Sequence, residues 1–162
     1  PCTEELYEAA YGSVETCFHH TATYQENGIS AAAGLASLEY ILENDLIQAA
    51  AEKGSYFMNA LKKIQEKYPQ IIKEVRGKGL MIGLETYEIP EGFKEGYGDY
   101  FADPINNDLV EKYRIQANHT INNPAVFRFL PPLTIKKEDL DYALASMEKA
   151  AADAYAHVYK KA

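Results

Sequence analysis

Cysteine is scarce in this sequence, which has only Cys2 and Cys17 among its 162 residues. Two cysteines are too few for a disulfide framework, and they do not have the spacing of metal ligands. The four histidines lack that spacing as well; they are His19, His20, His119 and His157. The sequence therefore predicts no metal site, and the low cysteine content fits the reducing cytoplasm.

Long hydrophobic runs are absent too. No apolar stretch approaches the roughly 20 residues that a transmembrane helix needs. The first five residues, PCTEE, show neither the basic region nor the apolar region of an export signal. We therefore expect neither export nor a membrane partner.

Positive charge is in deficit, with 16 basic against 24 acidic side chains and a formal net charge of -8. Such a charge repels phosphate backbones and anionic membrane surfaces, so we expect no nucleic-acid partner. The hydrophobic fraction of 47% and the charged fraction of 25% are typical of globular proteins. The chain is long enough to bury a core, and the composition predicts a folded domain.

Apolar spacing predicts five helices, over about residues 3–11, 29–43, 45–68, 105–117 and 137–159. The Ala- and Leu-rich second helix is expected to be well buried, and Asp45 with Gln48 resembles the start signal of the third. Strands are predicted at 80–85, 120–123 and 126–130. Residues 90–104, called the tyrosine-rich excursion below, are predicted to form an irregular surface segment. The fold class is therefore α+β, a long helix leading into a small sheet covered by helices.

The strand at 126–130 places Arg128 between two phenylalanines. Its period of two sets Phe127 and Phe129 on one face and Arg128 on the other, so Arg128 can face a cleft. A guanidinium in a cleft suits a carboxylate ligand, whereas the alternative is a surface ion pair.

A second polar region, residues 18–27, immediately precedes the second helix. It contains His20, Thr23 and Asn27. Helix starts attract anions because their N–H groups are unpaired, and a threonine hydroxyl adds a donor. The alternative is that these side chains simply cap the helix.

Three segments resemble class III aminotransferases, the group that includes ornithine, acetylornithine and putrescine aminotransferases. The first is HTATYQEN at 20–27, the second VRGKGLMIGLE at 75–85, and the third FRFLPPLT at 127–134. They occur in the family's order and span nearly the whole chain, apart from the tyrosine-rich excursion. The first departs from the family at Gln25-Glu26, where two glycines are usual.

The resemblance implies a pyridoxal 5'-phosphate (PLP) enzyme of fold type I that moves an amino group from an amine or amino acid to a keto acid. Thr23 would contact the PLP phosphate of the neighbouring subunit in a homodimer, and Arg128 would hold the substrate carboxylate. His20 and Asn27 are expected to be structural. A likeness of Thr120–Asn123 to putrescine aminotransferases favours an amine or diamine donor.

The resemblance also implies that the chain is a carboxy-terminal fragment. Residues 1–28 would be a remnant of the large PLP-binding domain, 29–67 connecting helices, and 68–162 the small C-terminal domain. No lysine lies in the Lys-x-x-Gly-Gly setting of the family's cofactor-binding lysine, so we expect no catalytic residue here and no activity from the fragment alone.

Two other classes of function remain open. The chain could be a non-catalytic α+β interaction module that retains the scaffold. It could also belong to another PLP enzyme of the same fold, such as an aminomutase or a decarboxylase.

Overall fold

The computed structural model describes residues 2–19, 23 and 27–160. Its contacts divide the chain into two compact units, Pro1–Asn44 and Asp45–Ala162. This division falls within the stretch 29–67 that the sequence assigned to connecting helices. The three-part division therefore stays a prediction about a longer protein.

The first unit contains two helices. Helix α1, Glu4–Tyr11, is capped by the Thr3 side chain, and helix α2, Gly28–Glu43, by Asn27. The expectation that the second helix is well buried is wrong for this chain, since α2 has no buried residue. Its small and apolar residues explain the prediction, because such a helix is usually covered on several sides.

The second unit begins with helix α3, Leu46–Lys67, whose apolar residues recur every three or four positions. The helix begins where the start signal at Asp45 predicted, with Asp45 as its N-cap residue, but the capping hydrogen bond is absent. Asp45 adopts a left-handed φ of 49°. Gln48 instead bonds Glu52 on the next turn of the helix.

Four antiparallel strands follow in the spatial order β1-β2-β4-β3. Their bounds are β1 Ile72–Lys78, β2 Met81–Thr86, β3 Asn118–His119 and β4 Val126–Phe129. The sequence did not predict β1, because a bulge between Ile72 and Glu74 breaks its alternation. It also placed a strand at 120–123, where the structure has a turn closed by a Thr120 hydroxyl bond to the Asn123 carbonyl.

Helices α4, Ala102–Glu111, and α5, Lys137–Tyr159, complete the unit. Helix α5 agrees with the prediction, but α4 begins three residues before the predicted 105 and ends at Glu111 rather than 117. The predicted irregular segment ends at Pro104, whereas Pro104 lies in the first turn of α4, where proline fits because no N–H is needed. Arg114, with a left-handed φ of 57°, lies just after the helix.

The helices α3, α4 and α5 and one face of the sheet enclose a single core. Its fully buried members include Leu61, Ile71, Leu84, Phe127 and Met147. The core forms because each strand contributes alternate residues to the helix-covered face. The opposite face of the sheet carries the polar side chains considered below.

The tyrosine-rich excursion, residues 90–104, is more buried than the sequence predicted. It contains a short 3-10 turn, Glu91–Phe93, and Phe101 within it is fully buried. The Tyr97 ring stacks on His157 of α5 with 3.9 Å between ring centroids, and burial raises the pKa of Tyr97. Aromatic contacts therefore fasten this segment to the carboxy-terminal part of α5.

Helix α3 makes its closest approach to the sheet at Gly54. A Cβ atom added there would lie 2.1 Å from the carbonyl oxygen of Gly79, in the two-residue turn between β1 and β2. Gly79 itself adopts a left-handed φ of 54°, which glycine tolerates without strain. Two glycines thus allow a helix backbone to rest directly on a hairpin turn.

Substitution of Gly54 should therefore destabilise the second unit. We expect Gly54→Ala to lower the free energy of unfolding by about 2 kcal/mol, because the helix must move off the turn. Urea denaturation followed by circular dichroism measures this change. Gly92→Ala is the matched control, since nothing lies within 4 Å of its added Cβ, and a loss as large in that variant would contradict the interpretation.

Candidate functional site

Arg128 lies on the sheet face that points away from the helices. Its neighbour Phe127 is fully buried, and Phe129 makes an edge-to-face contact with Phe57 of α3, with 5.5 Å between ring centroids. Because strand residues alternate between faces, Arg128 projects outward, and it is exposed. The expected opposition of Arg128 to the two phenylalanines is confirmed.

Strand pairing places Arg128 in a row of four residues that crosses the sheet. Arg76 on β1 pairs with Gly83 on β2, Gly83 pairs with Arg128 on β4, and Arg128 pairs with Asn118 on β3. We call these four residues the arginine row. Gly83 has no side chain, so the two arginines flank a gap on the same face.

A recess of about 390 Å³ lies on this face. Its lining includes Arg76, Gly83, Arg128 and the Thr120 turn. A second recess, of about 400 Å³, is lined mainly by apolar residues of β4, α5 and the segment after α4, and Arg128 and Arg114 also border it. Strand alternation directs the Arg128 side chain to the first recess, which we call the outer recess.

Arg76, at one side of the outer recess, is held by carboxylates. Its Nη1 lies 2.7 Å from Glu85 Oε2 and also bonds Glu74. The other oxygen of Glu85 lies 2.7 Å from Lys73 Nζ. The bulge in β1 explains this arrangement, because it sets both Lys73 and Glu74 opposite Glu85.

Glu85 is the centre of that network. Its side chain is only 13% exposed, and the hydrogen bonds from Lys73 and then Arg76 hold its pKa below the usual range of a glutamic acid. The carboxylate is therefore ionised at neutral pH and neutralises cations on this face.

Arg128 differs from Arg76 in having no such partner. Within the part of the chain that the structure describes, no carboxylate forms a salt bridge with Arg128, whereas Arg76 has two. An exposed guanidinium beside a recess, with its fork of donors unoccupied, is suited to bind a carboxylate in two parallel hydrogen bonds.

Thr23 lies in the first unit, in a turn, and is exposed. His20, Gln25 and Glu26 lie outside the described residues. Asn27 Oδ1 accepts the amide hydrogens of Ile29 and Ser30 at 3.0 and 3.1 Å, so a side-chain cap occupies the start of α2.

A threonine hydroxyl can donate a hydrogen bond to a phosphate oxygen, so Thr23 is chemically suited to make one contact with a PLP phosphate. The two capped amides do not fit that role. Thr23 and Arg128 belong to different compact units, and each is described within its own unit.

Sequence reasoning missed Glu85 and Lys73 as parts of the site. The spacing of Gly83 and Glu85 on an alternating strand gave a usable signal, since residues two apart share a face. Lys73 gave none, because its position opposite Glu85 depends on the bulge.

The described ranges 2–19, 23 and 27–160 also bear on metal sites, reactive cysteines and membrane-spanning helices. They contain no group of three metal-ligating side chains, and Cys2 and Cys17 are exposed free thiols. None of the described helices is long and apolar enough to cross a membrane.

Comparison with known proteins agrees with the motifs. The family model described as Aminotransferase class-III matches residues 2–151. An uncharacterized aminotransferase of Schizosaccharomyces pombe is 51% identical over 150 residues, covering 93% of this chain and 31% of that protein. A leucine/methionine racemase of Thermococcus litoralis is 37% identical over 134 residues, covering 83% of this chain and 29% of that protein.

Solved structures agree with the expected fold. The (S)-enantioselective omega-transaminase of Thermomicrobium roseum superposes with a TM-score of 0.73 at 26% identity, covering 94% of this chain and 33% of that one. The α+β architecture of a fold-type I aminotransferase is thereby confirmed. The chain spans about a third of the length of the curated relatives it matches. With a family match over residues 2–151, the chain belongs to the class III aminotransferases.

Proposed function

We propose that this chain is the C-terminal part of a PLP-dependent transaminase that moves an amino group from an amine or amino acid to a keto acid. The observation that carries the proposal is Arg128, an exposed guanidinium without a salt bridge among the described residues, beside a recess in a class III aminotransferase chain. We further propose that residues 1–28 belong to the large domain, and that the intact protein is a cytoplasmic homodimer.

In this proposal each part of the chain has a defined task. PLP, when bound to the intact protein, supplies the electrophilic group that carries the amino group between substrates. Arg128 binds the substrate carboxylate and so fixes the orientation of the reacting carbon. Thr23 donates its hydroxyl hydrogen to the PLP phosphate of the partner subunit. The lysine that binds the cofactor is proposed to lie in the part of the relatives that this chain does not span.

The racemase relative favours a second candidate function, amino-acid racemisation, because it is 37% identical over 83% of this chain. In a protein of this family, racemisation would use the same cofactor and would also need an oriented carboxylate. It differs in needing no keto acid, which makes the two functions separable.

Turnover by the intact protein distinguishes these functions. With PLP, an amine or L-amino acid donor and a keto acid, we expect chromatography to detect a new amino acid derived from the keto acid. The 162-residue chain alone should give none, because it is proposed to lack the cofactor-binding lysine. Inversion of leucine without any keto acid would instead support the racemase.

Loss of the guanidinium should weaken keto-acid binding. We expect Arg128→Ala in the intact protein to raise the KM for the keto acid about a hundredfold, the effect of losing a bidentate charge-assisted contact, while the PLP absorbance stays unchanged. Lys62→Ala is the control, since it removes an exposed cation that borders neither recess. An unchanged KM in Arg128→Ala would rule out this role.

Loss of the Thr23 hydroxyl should weaken cofactor binding instead. We expect Thr23→Ala to raise the Kd for PLP about tenfold, because a hydrogen bond to a charged phosphate is lost. Thr23→Ser keeps the hydroxyl and should stay close to the original Kd. Titration of the PLP-free intact protein by absorbance measures both values, and equal affinity in all three proteins would exclude the contact.

A further inference from the structure

The two arginines of the arginine row differ in whether carboxylates compensate their charge, although they face the same recess. Arg76 shares its charge with Glu85 and Glu74, and Lys73 also binds Glu85. The Lys73, Glu74, Arg76 and Glu85 group therefore sums to zero net charge. Arg128 and Lys78, which also line the outer recess, have no salt bridge among the described residues.

We propose that Glu85 is a specificity-determining residue that holds Arg76 away from the substrate and so disfavours keto acids with two carboxylates in the outer recess. This inference rests on the proposed function, because it assumes that a carboxylate binds Arg128. It adds a role for Glu85 as a positioning residue that acts through Arg76.

Spacing within the sheet supports the proposal. Arg76 and Arg128 are separated by one strand, so their backbones lie about 10 Å apart. Gly83 between them has no side chain of its own, and the small Val126 side chain, 3.5 Å from where a Gly83 Cβ would lie, borders the gap. Two flexible arginines at this separation can both reach a small molecule lying over Gly83, one at each end.

Electrostatic interactions decide whether Arg76 or Arg128 binds a carboxylate of that molecule. While Glu85 is ionised and bonded to Arg76, a second carboxylate in the recess meets a guanidinium that is already neutralised and a nearby negative charge. That charge disfavours a dianion relative to a monoanion. Removing the charge of Glu85 while keeping its shape would leave Arg76 with only Glu74, the more exposed of its two carboxylate partners. Arg76 would then be freer to bind the second carboxylate.

The test uses Glu85→Gln in the intact PLP-loaded protein. The quantity measured is the ratio of kcat/KM for 2-oxoglutarate, a dicarboxylate, to kcat/KM for pyruvate, a monocarboxylate. We expect this ratio to rise about tenfold, because a new charge-assisted contact forms only with the dicarboxylate. A ratio cancels any loss of activity that affects both substrates equally.

Two further variants identify the released cation. Glu74→Gln removes the other carboxylate on Arg76 but keeps the Glu85 network, so it should leave the ratio within about twofold of the original. Glu85→Gln combined with Arg76→Gln should return the raised ratio to the original value. A ratio that stays raised in the double variant would overturn the role of Arg76 and with it the proposal.

Stability and the proposed function are checked separately. If Glu85→Gln fails to fold, Glu85→Asp, which keeps the charge but shortens the reach to Arg76, should raise the ratio by a smaller factor. An unchanged ratio in every folded Glu85 variant, together with a raised KM in Arg128→Ala, would sink this inference and leave the carboxylate role of Arg128 intact. No effect of Arg128→Ala on either keto acid would overturn both.

Discussion

The antiparallel pairing of β2 with β4 is the interaction on which the core and the candidate site both depend. It sets Leu84 opposite Phe127 on the helix-covered face and Gly83 opposite Arg128 on the other face. A shift of the pairing by one residue would exchange these faces, burying the arginine and exposing the phenylalanine. Burial of Leu84 and Phe127, both fully inaccessible, therefore fixes the position of a polar side chain that it never contacts.

On the outer face of the sheet, acidic and basic side chains pair with one another over a small area. The bulge in β1 brings Lys73 and Glu74 together opposite Glu85, which also binds Arg76. Exposed ion pairs of this kind add little to the free energy of unfolding. The main consequence of the network is therefore which cations on this face have a carboxylate partner. Within the described residues it pairs Arg76 with two carboxylates and leaves Arg128 without a salt bridge.

Helix α2 presents a contrasting case, because its small and apolar residues are exposed in this chain. The composition predicted burial, and that prediction is wrong here. The relatives are about three times as long as the stretch they share with this chain. Composition reports what a helix can pack against, whereas burial depends on which neighbours are present.

Sequence by itself determined the family, the α+β class, helix α5 and the outward direction of Arg128, because each rests on local patterns or on motifs. Tertiary structure alone decided the bulge in β1, the pairing of Gly83 with both arginines and the sharing of Glu85 between Lys73 and Arg76. These features join residues that are distant along the chain, and their register is set by packing of the core rather than by any local preference. Sequence alone therefore does not distinguish the two arginines, whereas the folded sheet gives Arg76 two carboxylate partners and Arg128 none among the described residues.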